Sequence, residues 1–420
     1  MDSVLTVLLA GGKGTRLDPL TRDRAKPAVP FAGMYRIVDL ALSNCVNSRL
    51  FNILALTQYK SLSLEHHIAQ GWGRFVHPEF GQWLTVASPQ QRVSDDWYRG
   101  TADAVYQNLY SVEKSEAEYV LVLAADHVYK MDYRRMFGFH RGHGGPVTVA
   151  TLKVPVAEAA GQFGVVETDA DARVTGFQEK PERPAQAPGD AGICLASMGI
   201  YVFTARFLVD ELRRNAEGTD PGHDFGTHIL PRLVGREPIR AFTFSGKGTG
   251  APGYWRDVGT VDAYYRATMD LLSDAPGLDL YDRAWPVYSF QPSFPPPRVA
   301  VVPEPAGRPA GGARHNIFAN GTVSEGWVRG SAVGFDCRVE AGAVVEDSIL
   351  FDRVVVGPGA EVRRAILDKG VRVMPGARVG VDPDEDRARG FVVSEGGVTC
   401  VAKDVVVGDQ QGVAGVSSPP

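Results

Sequence analysis

The fold is decided near the N-terminus by the stretch VLTVLLAGGKGTRL, residues 4–17, in which apolar and β-branched residues lead directly into a loop with three glycines. A run of this length is typical of one β-strand. Glycines let the following loop turn tightly and direct its N–H groups at an anion, and Lys13 and Arg16 add two cations. The stretch therefore predicts a first strand followed by an anion-binding loop.

This loop differs from two common phosphate-binding patterns. The Walker pattern ends in Gly-Lys-Ser/Thr, and the dinucleotide fingerprint has a third glycine where this chain has Leu17. A generic tight turn is therefore the alternative interpretation. More cations follow in Arg22-Asp23-Arg24-Ala25-Lys26-Pro27, where the proline favours an extended backbone at Lys26. Such a backbone would project the Lys26 ammonium toward the same phosphates, which favours the anion site.

Strand-like and helix-like segments alternate from Val4 to about Leu272. This alternation is typical of an α/β domain with a mainly parallel, Rossmann-like sheet that is covered on both faces. The predicted segments include a helix over 35–47, a helix over 62–70, a helix over 101–114 with Thr101 as its N-cap, and a strand over 119–125 that leads into Asp126.

A proline-rich segment ends this pattern at Asp282–Gly312, with three prolines in a row at 295–297. Prolines at this density predict a semi-rigid connector. We therefore expect four parts: an α/β domain over 1–280, a Pro-rich linker over 281–312, a β-helix over 313–410 and a flexible tail over 411–420.

Beyond the linker, aliphatic residues recur every five or six positions, with glycine and acidic residues between them. The series is Val323, Val328, Val333, Val339, Val345, Leu350, Val356, Val362, Leu367, Val373 and Val379. No helix has this period, whereas a parallel β-helix points one such residue into its core at each side of each coil. A meander of short strands is the alternative, but variable hairpin turns would not keep so regular a spacing.

The composition excludes several classes of protein. Hydrophobic residues make up 44% and charged residues 22% of the chain, which is typical of a folded globular protein. The net charge of −5 argues against a nucleic-acid binder. The apolar run Val4–Ala10 is too short to span a bilayer, and the four cysteines have neither zinc nor redox spacing. We expect a cytoplasmic protein that binds neither membrane nor nucleic acid.

Asp126 follows the most apolar strand, at the edge where open α/β sheets bind their ligands. A helix cap or a turn residue is the alternative interpretation. Beside an anion-binding loop, a carboxylate is suited to Mg2+, which prefers oxygen ligands and bridges phosphates. The best second carboxylate is Asp257, in Gly253-Tyr254-Trp255-Arg256-Asp257-Val258-Gly259-Thr260, although sequence alone does not bring it near Asp126.

Two further segments carry side chains suited to a sugar phosphate. Tyr98 precedes a glycine turn in Trp97-Tyr98-Arg99-Gly100-Thr101-Ala102-Asp103-Ala104, and Glu179 and Lys180 precede a proline in Phe177-Gln178-Glu179-Lys180-Pro181. A lysine neutralises a phosphate, and a carboxylate accepts hydrogen bonds from sugar hydroxyls. A surface salt bridge between Glu179 and Lys180 is the alternative interpretation.

Taken in order, these motifs closely resemble the sugar-phosphate nucleotidylyltransferase family over nearly the whole chain. The glycine loop with Ala25-Lys26-Pro27 resembles the signature that members using different nucleotides share. The branch that transfers an adenylyl group to glucose 1-phosphate is indicated by further motifs: Arg36-Ile37-Val38-Asp39, Leu42-Ser43-Asn44-Cys45, Thr57-Gln58-Tyr59, the run from Tyr98 to Ala104, Ala196-Ser197-Met198-Gly199-Ile200-Tyr201, His223-Asp224-Phe225-Gly226 and the run from Tyr254 to Thr260.

The resemblance implies a catalytic domain of glycosyltransferase-A type, followed by a left-handed parallel β-helix that supports a homotetramer and allosteric small-molecule effectors. It implies that Asp126 and Asp257 hold Mg2+, and that Arg16 and Lys26 act with Asp126 in catalysis. The implied nucleotide-binding residues are Gly11, Gly12, Gly14, Thr15, Arg16, Lys26 and Gly100, and the implied glucose 1-phosphate-binding residues are Tyr98, Gly164, Glu179, Lys180 and Ser197.

The implied reaction converts ATP and α-D-glucose 1-phosphate into ADP-glucose and diphosphate, for glycogen or another α-glucan. One alternative is a thymidylyl-, uridylyl- or guanylyltransferase. Another is a non-catalytic regulatory subunit, but such subunits typically lose the phosphate-binding cations or the metal aspartate, and this chain keeps them. A hexapeptide-type acyltransferase would need a histidine inside the repeats, and the last histidine, His315, precedes them.

Two positions depart from the family pattern. Ala125 precedes Asp126 where relatives usually have glycine, and we expect its methyl group to need only a local adjustment. Met34 stands where we expect relatives activated by a sugar bisphosphate to carry a lysine. Because a thioether cannot pair with a phosphate, we expect weak or no activation by fructose 1,6-bisphosphate.

Overall fold

The computed structural model describes residues 3–89, 97–246, 252–305 and 315–408. Residues 306–312 of the predicted linker and the whole predicted tail, 411–420, lie outside the described residues. The chain has an α/β part and then a part built from short strands. These two parts are connected by the proline-rich segment that the sequence singles out.

The α/β part contains thirteen strands and nine helices within the described residues. The strands are β1 (Val4–Leu9), β2 (Pro30–Phe31), β3 (Tyr35–Arg36), β4 (Asn52–Leu56), β5 (Trp83–Ala87), β6 (Tyr119–Ala124), β7 (His127–Tyr129), β8 (Val147–Pro155), β9 (Val165–Thr168), β10 (Val174–Gln178), β11 (Ile193–Thr204), β12 (Ile239–Thr243) and β13 (Trp255–Asp257). The helices are α1 (Ile37–Asn47), α2 (Leu62–Gly71), α3 (Thr101–Gln107), α4 (Leu109–Lys114), α5 (Tyr133–His143), α6 (Val156–Ala159), α7 (Ala205–Glu217), α8 (Leu230–Leu233) and α9 (Val261–Asp270). Short 3₁₀ turns cover Thr15–Leu17, Lys26–Ala28, Gly73–Phe75 and Pro78–Phe80, and a π-helical turn covers Phe225–Ile229.

The central sheet confirms the predicted Rossmann-like α/β class. Its strand order is β10-β9-β11-β6-β1-β4-β5, and β8 and β12 extend it through β11. Strand β1 is parallel to β4 and β6, and β4 is parallel to β5, while β9, β10 and β11 pair in antiparallel fashion. Alternate residues of β1 enter apolar cores on opposite faces: Val4 and Leu8 on one, Leu5 and Val7 on the other. The parallel half ends at the edge that carries the glycine loop and Asp126.

The predicted helix over 101–114 is wrong in two details. It breaks at Asn108 into α3 and α4, and its N-cap is Gly100 rather than Thr101. The carbonyl oxygen of His223 accepts the N–H groups of Ala102 and Asp103, so the first turn needs no side-chain cap. Thr101 is therefore free to make tertiary hydrogen bonds.

The second part is a parallel β-helix with three faces. Its elements are β14 (Arg298–Val299), β15 (Ile317–Phe318), β16 (Val323–Ser324), β17 (Trp327–Arg329), β18 (Ala332–Val333), β19 (Arg338–Val339), β20 (Val344–Glu346), β21 (Ile349–Leu350), β22 (Val355–Val356), β23 (Glu361–Arg363), β24 (Ala365–Leu367), β25 (Arg372–Val373), β26 (Arg378–Val379), α10 (Pro383–Ala388), β27 (Val392–Val393), β28 (Thr399–Val401) and β29 (Val406–Val407). They form sheets β14-β16-β19-β22-β25-β29, β15-β18-β21-β24-β28-β27 and β17-β20-β23-β26. Parallel pairing between successive coils is consistent with the predicted left-handed β-helix.

The predicted aliphatic series lines the core of the β-helix, with one exception. Val345 pairs with Val328 in the preceding coil and with Val362 in the following coil, so the three side chains stack in one column. At the start of the series, however, Ser324 pairs with Val339 and is 1% exposed, while Val323 pairs with Arg338 on the outer face. The prediction that Val323 points inward is therefore wrong, because the buried position of this coil is held by a serine whose hydroxyl donates to the carbonyl of Gly326.

One face of the β-helix packs against the α/β part. Ile349 and Ile366 on the outer side of the sheet β15-β18-β21-β24-β28-β27 belong to one buried apolar cluster with Leu17, Leu20 and Tyr264. Leu17 and Leu20 follow the glycine loop in sequence. The β-helix thus shares a hydrophobic core with the segment that leads into Lys26.

Part of the predicted linker is tightly packed. Ser289 is buried, and its hydroxyl donates to the fully buried carboxylate of Asp39 at 2.6 Å. Asp39 also accepts hydrogen bonds from His67 and Trp72 of the segment around α2. Strand β14 lies inside residues 281–312 and already pairs with β16. Within its described residues, this segment is therefore held to the α/β part at Ser289 and to the β-helix at β14.

The four cysteines are buried and none forms a disulfide. Among the described residues, no helix is both long and apolar enough to cross a membrane. Ala125 is fully buried in the core of the sheet, and its N–H donates to the carbonyl of Leu9.

A buried polar chain ties α5 to β8. The Gly145 N–H donates to Nδ1 of His143, so the neutral ring carries its proton on Nε2 and donates it to Thr148 Oγ1 at 2.7 Å. The Thr148 hydroxyl then donates to Nδ1 of His140 at 2.8 Å. Burial, with the neighbouring His143, lowers the pKa of His140 to about 4.

We expect this chain to make stability depend on pH. Because the folded protein holds His140 neutral, its contribution is complete above the unfolded pKa of about 6.5 and is lost as the pH falls toward 4. Between pH 7.5 and pH 5, the free energy of unfolding of the wild type should fall by about 2 kcal/mol more than that of His140→Phe. Urea unfolding at the two pH values measures this difference. The matched change His66→Gln, at an exposed histidine, should leave the pH dependence as it is. Equal pH dependence in the wild type and His140→Phe would contradict this reading.

Candidate active site

The glycine loop is held in shape from both sides. It begins where the Ala10 N–H donates to the carbonyl of Leu56, and Gly14 adopts a left-handed conformation with φ 61°. A Cβ on Gly14 would lie 3.1 Å from Thr21 and 3.2 Å from the Cβ of Lys26, so only glycine fits there without displacement. The Thr21 hydroxyl donates to the Gly14 carbonyl at 2.9 Å. The loop and Lys26 are therefore packed as one unit.

Lys26 forms the centre of the site. Its ammonium lies 2.9 Å from Oδ2 of Asp126 and 2.8 Å from Oδ1 of Asp257, and its side chain is 9% exposed. These three predicted residues come from distant parts of the sequence. The structure brings them together at the mouth of the glycine loop.

The two aspartates meet because of a small separate sheet. Strand β13 pairs in antiparallel fashion with β7, and the register places Asp257 opposite His127, the residue after Asp126. This pairing is what sequence spacing alone does not reveal. It fixes both carboxylates relative to the backbone before any ligand binds.

Opposite charges tune the ionisation of the cluster. Burial lowers the pKa of Lys26, but Asp126 and Asp257 raise it by more, so that it ends above its usual value. Burial raises the pKa of Asp126, but the Lys26 ammonium and the His127 imidazole lower it further, to well below its usual range. Lys26 and Asp126 are therefore both charged at neutral pH.

A cation fits this cluster. One oxygen of Asp126, one of Asp257 and one ring nitrogen of His127 lie within 4.8 Å of one another. Lys26 bonds only Oδ2 of Asp126 and Oδ1 of Asp257, so each carboxylate keeps a second oxygen. Carboxylate oxygens are the ligands that Mg2+ prefers. The site residues predicted from the sequence do not include His127, for which adjacency to Asp126 is the available signal.

Arg16 borders the same carboxylates. A Cβ on Gly259 would lie 3.1 Å from Nη2 of Arg16 and 3.1 Å from both carboxylate oxygens of Asp257. Glycine at 259 therefore leaves room for the guanidinium beside the cluster. Arg16 itself is exposed, whereas the adjacent Leu17 is fully buried and anchors the turn. A side chain placed in this way presents its charge to a ligand above the loop.

A second group of predicted residues surrounds Glu179. A Cβ on Gly164 or on Gly226 would lie 3.0 Å from Oε2 of Glu179, so both glycines make room for this carboxylate. The N–H of Ser197 donates to the carbonyl of Gly164 at 2.8 Å, which joins β11 to the same loop. Gly164, Glu179 and Ser197 are thus brought together by the strands β9, β10 and β11.

Glu179 and Lys180 make only a loose contact with each other. Their closest charged atoms are 3.9 Å apart, and Lys180 is half exposed with a left-handed backbone at φ 47°. Burial raises the pKa of Glu179, Lys180 lowers it and Asp224 raises it. The surface salt bridge, the alternative that the sequence left open, is therefore present, but at 3.9 Å it is long. Both side chains keep polar atoms for a ligand.

Tyr98 and Gly100 form the third group. Tyr98 is 8% exposed, and its hydroxyl accepts a hydrogen bond from Asn108 at the break between α3 and α4. A Cβ on Gly100 would lie only 2.2 Å from the carbonyl oxygen of His223. The chain from Tyr98 to Gly100 therefore packs directly on the segment that precedes the π-helical turn.

Residues without a predicted role connect these groups. The Gln58 side chain donates to the carbonyl of Tyr98 at 3.0 Å, and its Cβ would lie 3.5 Å from a Cβ on Gly11. The hydroxyl of Thr101 donates to Asp224 at 2.8 Å, and Asp224 accepts the N–H groups of Gly226 and Thr227. Gln58 and Asp224 stand within quoted motifs, but nothing in the sequence shows which groups they join.

Comparison with known proteins agrees with this arrangement. Residues 5–274 match the family model of the nucleotidyl transferases, and residues 297–401 match a GlmU-like, C-terminal hexapeptide model. A glucose-1-phosphate adenylyltransferase of Rhodopirellula baltica is 48% identical over all of this chain and 94% of its own length. The chain belongs to the glucose-1-phosphate adenylyltransferase family of nucleotidyl transferases.

Other members of the adenylyltransferase family are similar over comparable lengths. The protein of that name from Koribacter versatilis is 45% identical and is aligned over 96% of each chain. The one from Shewanella baltica is 43% identical over 95% of this chain and 94% of its own length. The similarity therefore includes both the α/β part and the β-helix.

We expect Gly100→Ala to disrupt the site. The added methyl group overlaps the His223 carbonyl at 2.2 Å, and the required movement should cost about 1–3 kcal/mol of stability. The midpoint temperature of thermal unfolding and the steady-state turnover should both be lower than in the wild type. Gly138→Ala is the matched control, because a Cβ at this position in α5 meets nothing within 4 Å. The reading of Gly100 is wrong if its alanine variant is as stable and as active as the Gly138 variant.

Proposed function

We propose that this protein transfers the adenylyl group of ATP to α-D-glucose 1-phosphate, giving ADP-glucose and diphosphate. The observation that carries the proposal is the convergence of Lys26, Asp126 and Asp257 beside the glycine loop. The relatives at 43–48% identity, which are named for this reaction, support the choice of substrates. Such a cluster joins a phosphate-binding loop to carboxylates suited to a divalent cation.

On the nucleotide side, the loop N–H groups would bind the triphosphate. The residues that we assign to the nucleotide are Gly11, Gly12, Gly14, Thr15, Arg16, Lys26 and Gly100. Arg16 and Lys26 would place positive charge against the β- and γ-phosphates, where negative charge develops as diphosphate leaves. Lys26 is almost fully buried beside the loop, so its electrostatic interactions there are stronger than they would be in water.

On the sugar side, we assign Tyr98, Gly164, Glu179, Lys180 and Ser197 to glucose 1-phosphate. Lys180 would pair with the phosphate, because its ammonium is half exposed and only loosely bound to Glu179. Glu179 would accept hydrogen bonds from sugar hydroxyls, and the glycines at 164 and 226 leave space beside its carboxylate. The two substrates would then meet between the glycine loop and strands β9 to β11.

The reaction requires the protein mainly to align the two substrates and to neutralise negative charge. A phosphate oxygen of glucose 1-phosphate attacks the α-phosphorus of ATP in line with the departing diphosphate. No general base is required, because the attacking phosphate is already an anion at neutral pH. Lys26 and Arg16 neutralise charge on the leaving group, while Lys180 and Glu179 hold the nucleophile in place.

We propose Mg2+ as the cofactor, held by Asp126 and Asp257. When bound, it would neutralise phosphate charge and act as a Lewis acid on the α-phosphoryl group. The second oxygen on each carboxylate, which Lys26 does not bond, is compatible with a divalent cation.

The wider setting is also a proposal. ADP-glucose is an activated glucosyl donor, so a reaction that builds glycogen or another α-glucan would consume it. We propose a homotetramer in the cytoplasm, with small-molecule effectors. Four buried thiols without disulfides suit a reducing compartment.

A panel of nucleotides tests the choice of ATP. Diphosphate release with glucose 1-phosphate should be fastest with ATP and slower with UTP, dTTP and GTP. A preference for another nucleotide would instead identify a different sugar nucleotidylyltransferase. Failure with all four, by a folded protein, would favour the regulatory-subunit alternative.

We expect Asp126→Asn to lower turnover by about two or more orders of magnitude while leaving the protein folded. The amide keeps the shape of the side chain but removes the charge that holds Lys26 and the cation. A coupled diphosphate-release assay measures the loss, and circular dichroism checks the fold. Asp220→Asn, at an aspartate that is 93% exposed, is the control and should be fully active. Near-normal turnover by Asp126→Asn would refute the assignment.

A further inference from the structure

A buried ion pair joins the nucleotide end of the α/β part to the β-helix. Nη1 of Arg24 lies 2.9 and 3.0 Å from the two carboxylate oxygens of Asp368, and the side chains are 5% and 2% exposed. The same nitrogen donates to the carbonyl of Leu20 at 3.1 Å. An ion pair this deeply buried holds its geometry firmly, because either charge alone would be costly in that place.

Arg24 occupies a sensitive position in the sequence. It lies between Thr21 and Lys26, and both of these residues contact Gly14 of the glycine loop. Only Ala25 separates Arg24 from Lys26. A displacement of the Arg24 backbone therefore moves the backbone from which the Lys26 ammonium reaches Asp126 and Asp257.

Asp368 belongs to a rigid part of the β-helix. It follows β24 directly, and its N–H donates to the carbonyl of Val401 in the next coil at 3.0 Å. Its Oδ1 also accepts the N–H of Lys369 at 2.6 Å. Burial raises the pKa of Asp368, and Arg24 opposes that shift. The carboxylate is thus fixed by the β-helix backbone rather than by the loop that it holds.

Apolar packing reinforces the same connection. Leu17 and Leu20 are fully buried in one cluster with Ile366, which is two residues before Asp368. The segment from the glycine loop to Lys26 therefore rests on one strand of the β-helix. Packing sets its distance, and the ion pair adds a directional contact beside Lys26.

We propose that Asp368 is a positioning residue for adenylyl transfer, which acts through Arg24 to hold Lys26 in place. The β-helix then contributes to the reaction itself, in addition to any role in assembly. This inference rests on the proposed function, because it takes Lys26 as a ligand of the triphosphate.

Kinetics of the full-length protein distinguish positioning from general stability. The variants are Asp368→Asn, Arg24→Gln and the two together, and Tyr265→Phe is the control. Tyr265 also joins the two parts, through a hydrogen bond from its hydroxyl to the carbonyl of Asp347, and this bond involves neither Arg24 nor Asp368. Removing it tests loss of an interface contact alone.

We expect Asp368→Asn to lower kcat between about 10-fold and 100-fold, as misplacement of a catalytic group does. KM for ATP should rise, and KM for glucose 1-phosphate should stay within about twofold. The double variant should be no worse than either single variant, because both break one contact. Tyr265→Phe should keep the wild-type kcat. Unchanged kcat in Asp368→Asn, or additive losses in the double variant, would overturn the proposal.

Hydrogen exchange provides a readout that does not depend on the reaction. Amides of residues 17–29 should exchange faster in Asp368→Asn, while those of the central sheet and the β-helix core stay protected. Uniformly faster exchange would indicate a merely structural role and overturn the proposal. If the wild type makes no sugar nucleotide, the proposed function fails, and local exchange still decides whether Asp368 holds this segment.

A second variant keeps the test decisive if Asp368→Asn does not fold. Arg24→Met with Asp368→Leu removes both charges and replaces a buried ion pair by apolar side chains, which proteins often tolerate. We expect this protein to fold and to retain the loss of kcat, because apolar contact lacks the direction of the ion pair. A folded double variant with normal kcat and KM for ATP would overturn the proposal.

Discussion

The double salt bridge of Lys26 is the interaction on which the site depends. One ammonium, almost fully desolvated, lies between the carboxylates of Asp126 and Asp257. Without that positive charge, two carboxylates so close together would repel each other. The position of each group therefore depends on the other two. The segment before Lys26 positions the lysine, strand β6 leads into Asp126, and the β7–β13 pair places Asp257 beside it.

This arrangement explains how several charged side chains are held close together at one edge of the sheet. The parallel strands β1, β4 and β6 provide a rigid floor built mainly from apolar residues. Lys26 and Asp126 lie in the segments that follow β1 and β6, whereas Asp257 ends β13, and each is held by a partner from another segment. Arg24 with Asp368 repeats this principle at the junction with the β-helix, since neither charge is exposed and each satisfies the other.

Much of this was predictable from the sequence, because it depends on local patterns. The apolar run at the start of the chain predicted the first strand, which is Val4–Leu9, and the aliphatic period predicted the β-helix. The failures share a cause: each involves a partner that is distant in sequence. The N–H groups that Thr101 was expected to cap donate instead to the carbonyl of His223. The core position predicted for Val323 is occupied by Ser324, which pairs with Val339 in the next coil. The proximity of Asp126 and Asp257 depends on a strand pairing that no spacing encodes.

Binding of Mn2+ in the presence of ATP, followed by electron paramagnetic resonance, tests the central claim most directly. If Asp126 and Asp257 form one site, the Asp257→Asn protein should bind Mn2+ at least about tenfold more weakly than the wild type, as Asp126→Asn should. The double variant should be little worse than either single change. Wild-type affinity in Asp257→Asn would contradict the account, because it would mean that the cation is held without the strand pairing that defines this site.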